Sequence, residues 1–210
     1  MIYDTYLFDM DGTLLDTLDD LTAAVDHTLA QYGYPLRSRD EVRQGLGNGA
    51  ARLIAAMLPQ GEATPHFDTI LADYRAWYQA HPCDLTRPYP GVPELLETLR
   101  QRGCRVAIVT NKPHGAAKAL AQRFFPGVLA IGEEAGIPRK PAPDMVQRAL
   151  DALHASPEGA VYVGDSEVDI RTARNAGLPS IGVAWGFRGR EALLAAGADV
   201  IAERAEELLA

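Results

Sequence analysis

The chain has 210 residues, 47% of them apolar, and a net charge of −8. This is enough apolar material to bury a full core in one domain, or in one domain carrying an insertion. An acidic balance with scattered basic residues excludes a nucleic-acid surface, which needs clustered Lys and Arg, and no apolar run approaches the roughly 18 residues of a membrane span.

The first strand begins almost at Met1 and leaves no room for a signal peptide, so a cytoplasmic location is expected. Cys83 and Cys104 form no CxxC pair and lie near no histidine cluster. They read as buried or idle thiols rather than a zinc site or a disulfide framework.

In chain order, an apolar run ends in "DMDGT", Asp9 to Thr13, which reads as a strand with two carboxylates at its tip. Leu18, Leu21, Val25, Leu29 and Tyr32 then recur at helical steps, as do Phe67, Ile70, Leu71, Tyr74, Trp77 and Tyr78. "LIAAML", Leu53 to Leu58, reads as part of another helix, and "GLGNGA", Gly45 to Ala50, as a flexible loop. The punctuation "RPYPGVP" closes this helical block.

Beyond it, helices alternate with the short apolar runs "CRVAIVT", "GVLAI", "AVYVG" and "PSIGVAW". Such alternation predicts an α/β fold, a doubly wound parallel sheet that also takes in the opening strand. Residues 1–15 and 88–210 are expected to form this core. Residues 16–87 are expected as a helical insertion, with its two ends close together as a hinge. The terminal "ERAEELLA" reads as a short helix with a solvated acidic face.

Ligands of open parallel sheets bind beyond the carboxyl ends of the strands. At those ends the sequence has Asp9 and Asp11, Thr110 and Asn111, and Asp165, Ser166 and Asp169, while the loop "GIPRKPAPD" delivers Lys140 before a helix. Any one of these could be a turn former, a helix cap or a solvated loop residue. Four separate segments meeting at one rim point to a site. Asp9, Asp165 and Asp169 offer oxygen ligands to a hard cation such as Mg2+, which relieves the repulsion between the carboxylates. A carboxylate of Asp9 could then attack phosphorus. Thr110 and Lys140 would orient phosphoryl oxygens, and Asp11 would serve as general acid and base. Gly12 lets the backbone bend close to the phosphate.

"DMDGT", "VTN", "RKPAPD" and "GDSEVD", in this order, resemble the four motifs of the haloacid-dehalogenase superfamily of phosphatases. The resemblance implies a Rossmann-like core with Asp9 as nucleophile, Asp11 as acid/base, and Thr110, Asn111 and Lys140 at the phosphate. It also implies Mg2+ held by Asp9, the backbone carbonyl of Asp11 and Asp165, with Asp169 behind them or acting through water.

The helical insertion looks like a mobile cap of that superfamily. "GLGNGA", "TNKP" and "AWGF" are similar to its phosphoglycolate phosphatases, which usually have Asn where Val168 stands. Glu167 resembles an extra acid of some sugar-phosphate mutases. The implied partner is a small phosphorylated metabolite, first 2-phosphoglycolate, on a monomer or dimer. Sugar-phosphate phosphatase, phosphomutase and pyrophosphatase chemistry are the alternatives on the same core. A receiver-type signalling domain is the rival from another class, but it has no work for Asp11. In the cap, Arg43, Asn48 and Arg52 are candidates for binding a substrate carboxylate.

Overall fold

The computed structural model describes residues 3–81 and 83–210. The chain divides into two compact units, one running to Asp16 and resuming at Pro88–Ala210, the other Thr17–Arg87.

The first unit is built on a six-stranded parallel sheet. Its strands are β1 (Thr5–Phe8), β4 (Arg105–Pro113), β5 (Leu129–Glu133), β6 (Ala160–Gly164), β7 (Ser180–Val183) and β8 (Val200–Ala202), in the order β5-β4-β1-β6-β7-β8. β1 is central, with Phe8 paired to Ile108 on one side and Val163 on the other. All four residues of β1 are buried, as expected of a parallel strand covered on both faces.

Helices α5 (Val92–Gln101), α6 (His114–Phe124), α7 (Asp144–Leu153), α8 (Glu167–Asn175) and α9 (Gly189–Ala196) form the crossovers and cover the sheet. The first four bury stripes at three- and four-residue spacing, such as Val92, Leu95, Leu96 and Leu99 on α5, whereas α9 buries only Leu193. On one face Leu7, Val109 and Tyr162 pack with Met145, Val146, Ala149 and Leu150 of α7.

The second unit is helical: α1 (Leu18–Gln31), α2 (Arg39–Gly45), α3 (Gly49–Met57) and α4 (Phe67–Ala80). α2 starts on a reciprocal cap in which Ser38 accepts from the Glu41 N–H while Glu41 accepts from the Ser38 N–H. Asp20, near the start of α1, is buried and accepts from the main-chain N–H groups of Leu85 and Thr86 and from the Thr86 hydroxyl, at 2.6 to 3.1 Å. It thereby clasps the unit's exit to its entry. Two-residue strands β2 (Leu15–Asp16) and β3 (Arg87–Pro88) pair where the chain leaves and re-enters the α/β unit.

Several elements differ from the sequence reading. "GLGNGA" is a tight helix junction rather than a loop, because Gly45 closes α2 and Gly49 opens α3. The terminal segment is a 3-10 helix, Ala205–Leu209, whose Ala205 and Leu208 are buried, so only part of it is solvated. Cys83 and Cys104 are free thiols. Among the described residues no helix is long and apolar enough to cross a membrane.

Candidate active site

The carboxyl ends of β1, β4 and β6 bring the acidic rim together. The Asp9 N–H donates to Val163 O at 2.8 Å, which extends β1 by one residue and fixes its first carboxylate at the strand tip. Asp165 follows β6 directly, and Ser166 caps α8 in a reciprocal box with Asp169. One oxygen from each of Asp9, Asp165 and Asp169 lies within 4.8 Å of the others, and all three residues are buried.

A single ammonium faces this group. Lys140 Nζ donates to Asp169 Oδ1 at 2.7 Å and to the Tyr162 hydroxyl at 3.0 Å, and lies 2.9 Å from Asp9 Oδ1. The contact to Asp9 is an ion pair whose angle does not make a hydrogen bond, so that buried oxygen has no donor. Burial opposes the charge of Lys140, but Asp169 and Asp9 outweigh it and raise its pKa well above the usual value. Burial pushes Asp9 up to about 6, with Lys140 pulling down and Asp169 pushing up. Burial, then Asp169 and Asp9, also raise Asp165 well above the carboxylate range.

Burial and mutual repulsion thus oppose the ionised forms of Asp9 and Asp165; held ionised together, the three carboxylates would outnumber the one Lys140 ammonium by two charges in a place with little water. That balance, together with the donorless oxygen of Asp9, fits a hard divalent cation.

The environment of Asp165 is set by residues the sequence reading passed over. Its Oδ1 accepts from Thr13 Oγ1 at 3.2 Å and its Oδ2 from the Phe187 N–H at 2.7 Å. The carboxylate fills the space that a side chain at Gly12 would need. A Cβ there would overlap Asp165 Oδ2 and sit 2.8 Å from Phe187 Cδ2, and φ is +87°. Gly12 thus also makes room for Asp165. Gly186 does the same from the loop after β7, where a Cβ would lie 2.7 Å from Asp165 Cγ. Gly164 admits Asp169 in the same way. These requirements come from segments distant in sequence, so no local pattern announces them.

Of the expected phosphate residues, Thr110 is buried within β4, which runs on to Pro113 instead of ending at Thr110 and Asn111, and its Oγ1 accepts from the Lys112 N–H at 3.3 Å. The Asn111 side chain clips the Lys140 backbone, donating to Lys140 O at 3.1 Å and accepting from its N–H at 2.8 Å. It is a brace for the lysine. Both oxygens of Asp169 are engaged, one by Lys140 and the other by Ser166 N and Oγ. The Asp11 carboxylate accepts from Lys112 Nζ at 2.8 and 3.0 Å. Glu167 pairs with Arg188 at 3.3 Å.

In the helical unit Arg43 pairs with Asp40 and Arg52 with Glu62, all well exposed, and Asn48 stands before α3 with no side-chain capping bond. The structure gathers none of these three toward a common buried point within their unit.

An open parallel sheet that carries clustered carboxylates and a braced lysine at its carboxyl rim is suited to binding a phosphoryl group and a cation. The model of the haloacid dehalogenase-like hydrolases matches residues 6–183, and the chain belongs to that family, on its phosphatase side. It is 36% identical to the phosphoglycolate phosphatase of Vibrio parahaemolyticus, over 96% of this chain and 92% of that one. It is 33% identical to the N-acetylmuramic acid 6-phosphate phosphatase of Pseudomonas aeruginosa, over 97% of this chain and 92% of that one. A crystal structure from Lactobacillus delbrueckii subsp. bulgaricus, of a protein assigned to the phosphoglycolate phosphatases, superposes with a TM-score of 0.92 at 35% identity, covering 99% and 97% of the two chains.

Proposed function

We propose that the protein is a magnesium-dependent phosphomonoesterase that hydrolyses a small phosphorylated metabolite through an aspartyl-phosphate at Asp9. The observation that carries this reading is Asp9 itself: a buried strand-tip carboxylate with one oxygen lacking a donor, beside Lys140 and two further acids. Asp9 and Asp165 would hold the ion, joined by the Asp11 carbonyl on the family resemblance. When bound it supplies positive charge to the carboxylates and the phosphoryl oxygens.

The residues of the chain then divide the work. Thr110 and Lys140 hold the phosphoryl group in line with Asp9. The Asp9 carboxylate attacks phosphorus, the bond from phosphorus to the ester oxygen breaks, and Asp11 gives that oxygen its proton. In the second half Asp11 takes a proton from water, whose oxygen attacks phosphorus, and Asp9 leaves as a carboxylate with free phosphate. Asn111 and Tyr162 keep Lys140 in place throughout.

The first candidate substrate is 2-phosphoglycolate, supported by the name of the Vibrio relative and by the motif resemblance. A sugar phosphate is the second reading, favoured by the name of the Pseudomonas relative. The groups at the rim address only a phosphoryl unit, so selection among esters is assigned to the helical unit, residues 17–87, acting as a cap. The exposed pairs of Arg43 and Arg52 lend those two arginines no support as the selecting groups.

The test offers the purified protein 2-phosphoglycolate, N-acetylmuramate 6-phosphate, other sugar phosphates and pyrophosphate, with magnesium or with chelator. Release of phosphate only with magnesium is expected, and trapped phosphoenzyme should carry its phosphoryl group on the peptide containing Asp9. No release from any of these compounds, or a label elsewhere, refutes the reading.

A further inference from the structure

Lys112 is a buried cation with no part in the scheme above. Its side chain is only 2% exposed, and its ammonium donates to both oxygens of the Asp11 carboxylate. Lysine is rarely buried unless it is paired. The backbone that carries it is also built. Lys112 lies where the β4 to β5 register shifts between Val109 and Pro113, an irregularity of the kind that re-aims a side chain. Its N–H is taken by Thr110 Oγ1. Its carbonyl packs on Gly132 so closely that a Cβ at Gly132 would come within 2.6 Å of it. The Gly132 N–H in turn donates to His114 Nδ1 at 3.2 Å, which ties the neighbouring strand to the first residue of α6.

Asp11 stands past the end of β1, with its side chain 20% exposed. A carboxylate there has rotamers to choose from, and proton transfer needs one of them. The two bonds from Lys112 Nζ, one to each oxygen, fix the plane of the carboxylate as well as its position.

We propose that Lys112 is a positioning residue for Asp11, orienting its carboxylate for proton transfer to the ester oxygen and from the attacking water; this rests on the phosphatase reading. Lys112 touches neither the substrate nor the reacting phosphorus in this scheme and acts only through Asp11.

The test is a double-mutant cycle in the presence of magnesium, comparing wild type, Lys112→Met, Asp11→Asn and the double variant. The substrates are an alkyl phosphate and 2,4-dinitrophenyl phosphate, whose leaving group needs no proton. Lys112→Met is expected to lower kcat on the alkyl ester about 10²-fold with KM nearly unchanged, the scale of a misplaced acid/base group. In single-turnover phosphorylation by the dinitrophenyl ester the loss should be no more than a few-fold. In the Asp11→Asn background, Lys112→Met should cost less than about twofold, because two residues acting as one unit are not additive. Lys112→Gln, which keeps a neutral NH2 donor group, is run through the same cycle and should fall between; the comparison therefore does not depend on the methionine variant folding.

Equal losses on both esters, a full loss retained in the Asp11→Asn background, or a change confined to KM would each overturn the proposal. The last of these would make Lys112 a substrate contact. A wild type without turnover refutes the phosphatase reading itself, whereas an active wild type with additive losses refutes only the role of Lys112.

Discussion

Asp9→Asn tests the electrostatics of the site apart from its chemistry. In the folded protein the Asp9 pKa rises from 3.8 to about 6. Burial is the main cause, and Asp169 adds to it while Lys140 opposes it. At 1.36 kcal/mol per unit this shift corresponds to about 3 kcal/mol. The sign follows from proton binding: between these two values the folded state holds a proton that the unfolded chain has lost, so stability falls as pH rises through the window. Metal-free wild type therefore carries the full cost near neutral pH. Asn keeps an oxygen for Lys140 and cannot ionise, so Asp9→Asn should be the more stable protein in chelator, by up to about 3 kcal/mol at about pH 7.5 and about half that at about pH 5. Urea unfolding reads the difference. In a Trp77→Phe background, fluorescence comes from Trp185, whose Nε1 donates to Thr13 O at 3.0 Å, and so reports on the α/β unit. Saturating magnesium should stabilise the wild type, by about 2.7 kcal/mol at 100 times its Kd, and the variant less. Activity should be lost in the variant throughout. A variant less stable than wild type in chelator near neutral pH, or a difference that does not shrink on acidification, would refute the reasoning.

Gly186→Ala should destabilise the α/β unit by about 1–3 kcal/mol, because the new methyl meets the Asp165 side chain at its rigid end, and magnesium should bind more weakly in a calorimetric titration. Asp20→Ala strips a carboxylate from two main-chain N–H groups and a hydroxyl, so a loss of about 3 kcal/mol in the urea unfolding of the helical unit is expected, with fluorescence of Trp77 as the probe in a Trp185→Phe background. Asp199 accepts from the Ser180 hydroxyl and N–H, which hold its pKa below the usual carboxylate value. Its contribution is present above the unfolded pKa and lost as pH falls through the folded one. Thermal midpoints of wild type and Asp199→Asn should therefore converge on acidification and separate near neutrality.

The parts of this protein that can be read from its sequence are those fixed by period and position. The β-branched runs and helical stripes are local patterns, and they place the core strands and most helices to within a few residues. β8, with its outer residues Val200 and Ile201 only partly covered, is too short and too exposed to stand out as an apolar run. α2 escapes for a similar reason: it buries only Val42 and is announced by the Ser38 and Glu41 cap rather than by any stripe. At the site, the strand-tip rule places Asp9 and Asp165, each directly after its own strand, and only approximately Thr110, because β4 runs on past it to Pro113. What surrounds them is not placed this way, since it is set by distances between segments far apart in the chain. Asn111 carries an amide suited to a phosphate, and its side chain also bonds to the backbone of Lys140, 29 residues on, which no local pattern shows. Gly12 and Gly186 are separated by most of the chain and are both required by the single carboxylate of Asp165. Lys112 stands beside Thr110 and Asn111 in the second motif, within a strand that runs on to Pro113. The β4 to β5 register shifts between Val109 and Pro113, so side-chain alternation from Thr110 does not fix which way this lysine turns, and its pairing with Asp11, far back in the chain, is visible only in the fold.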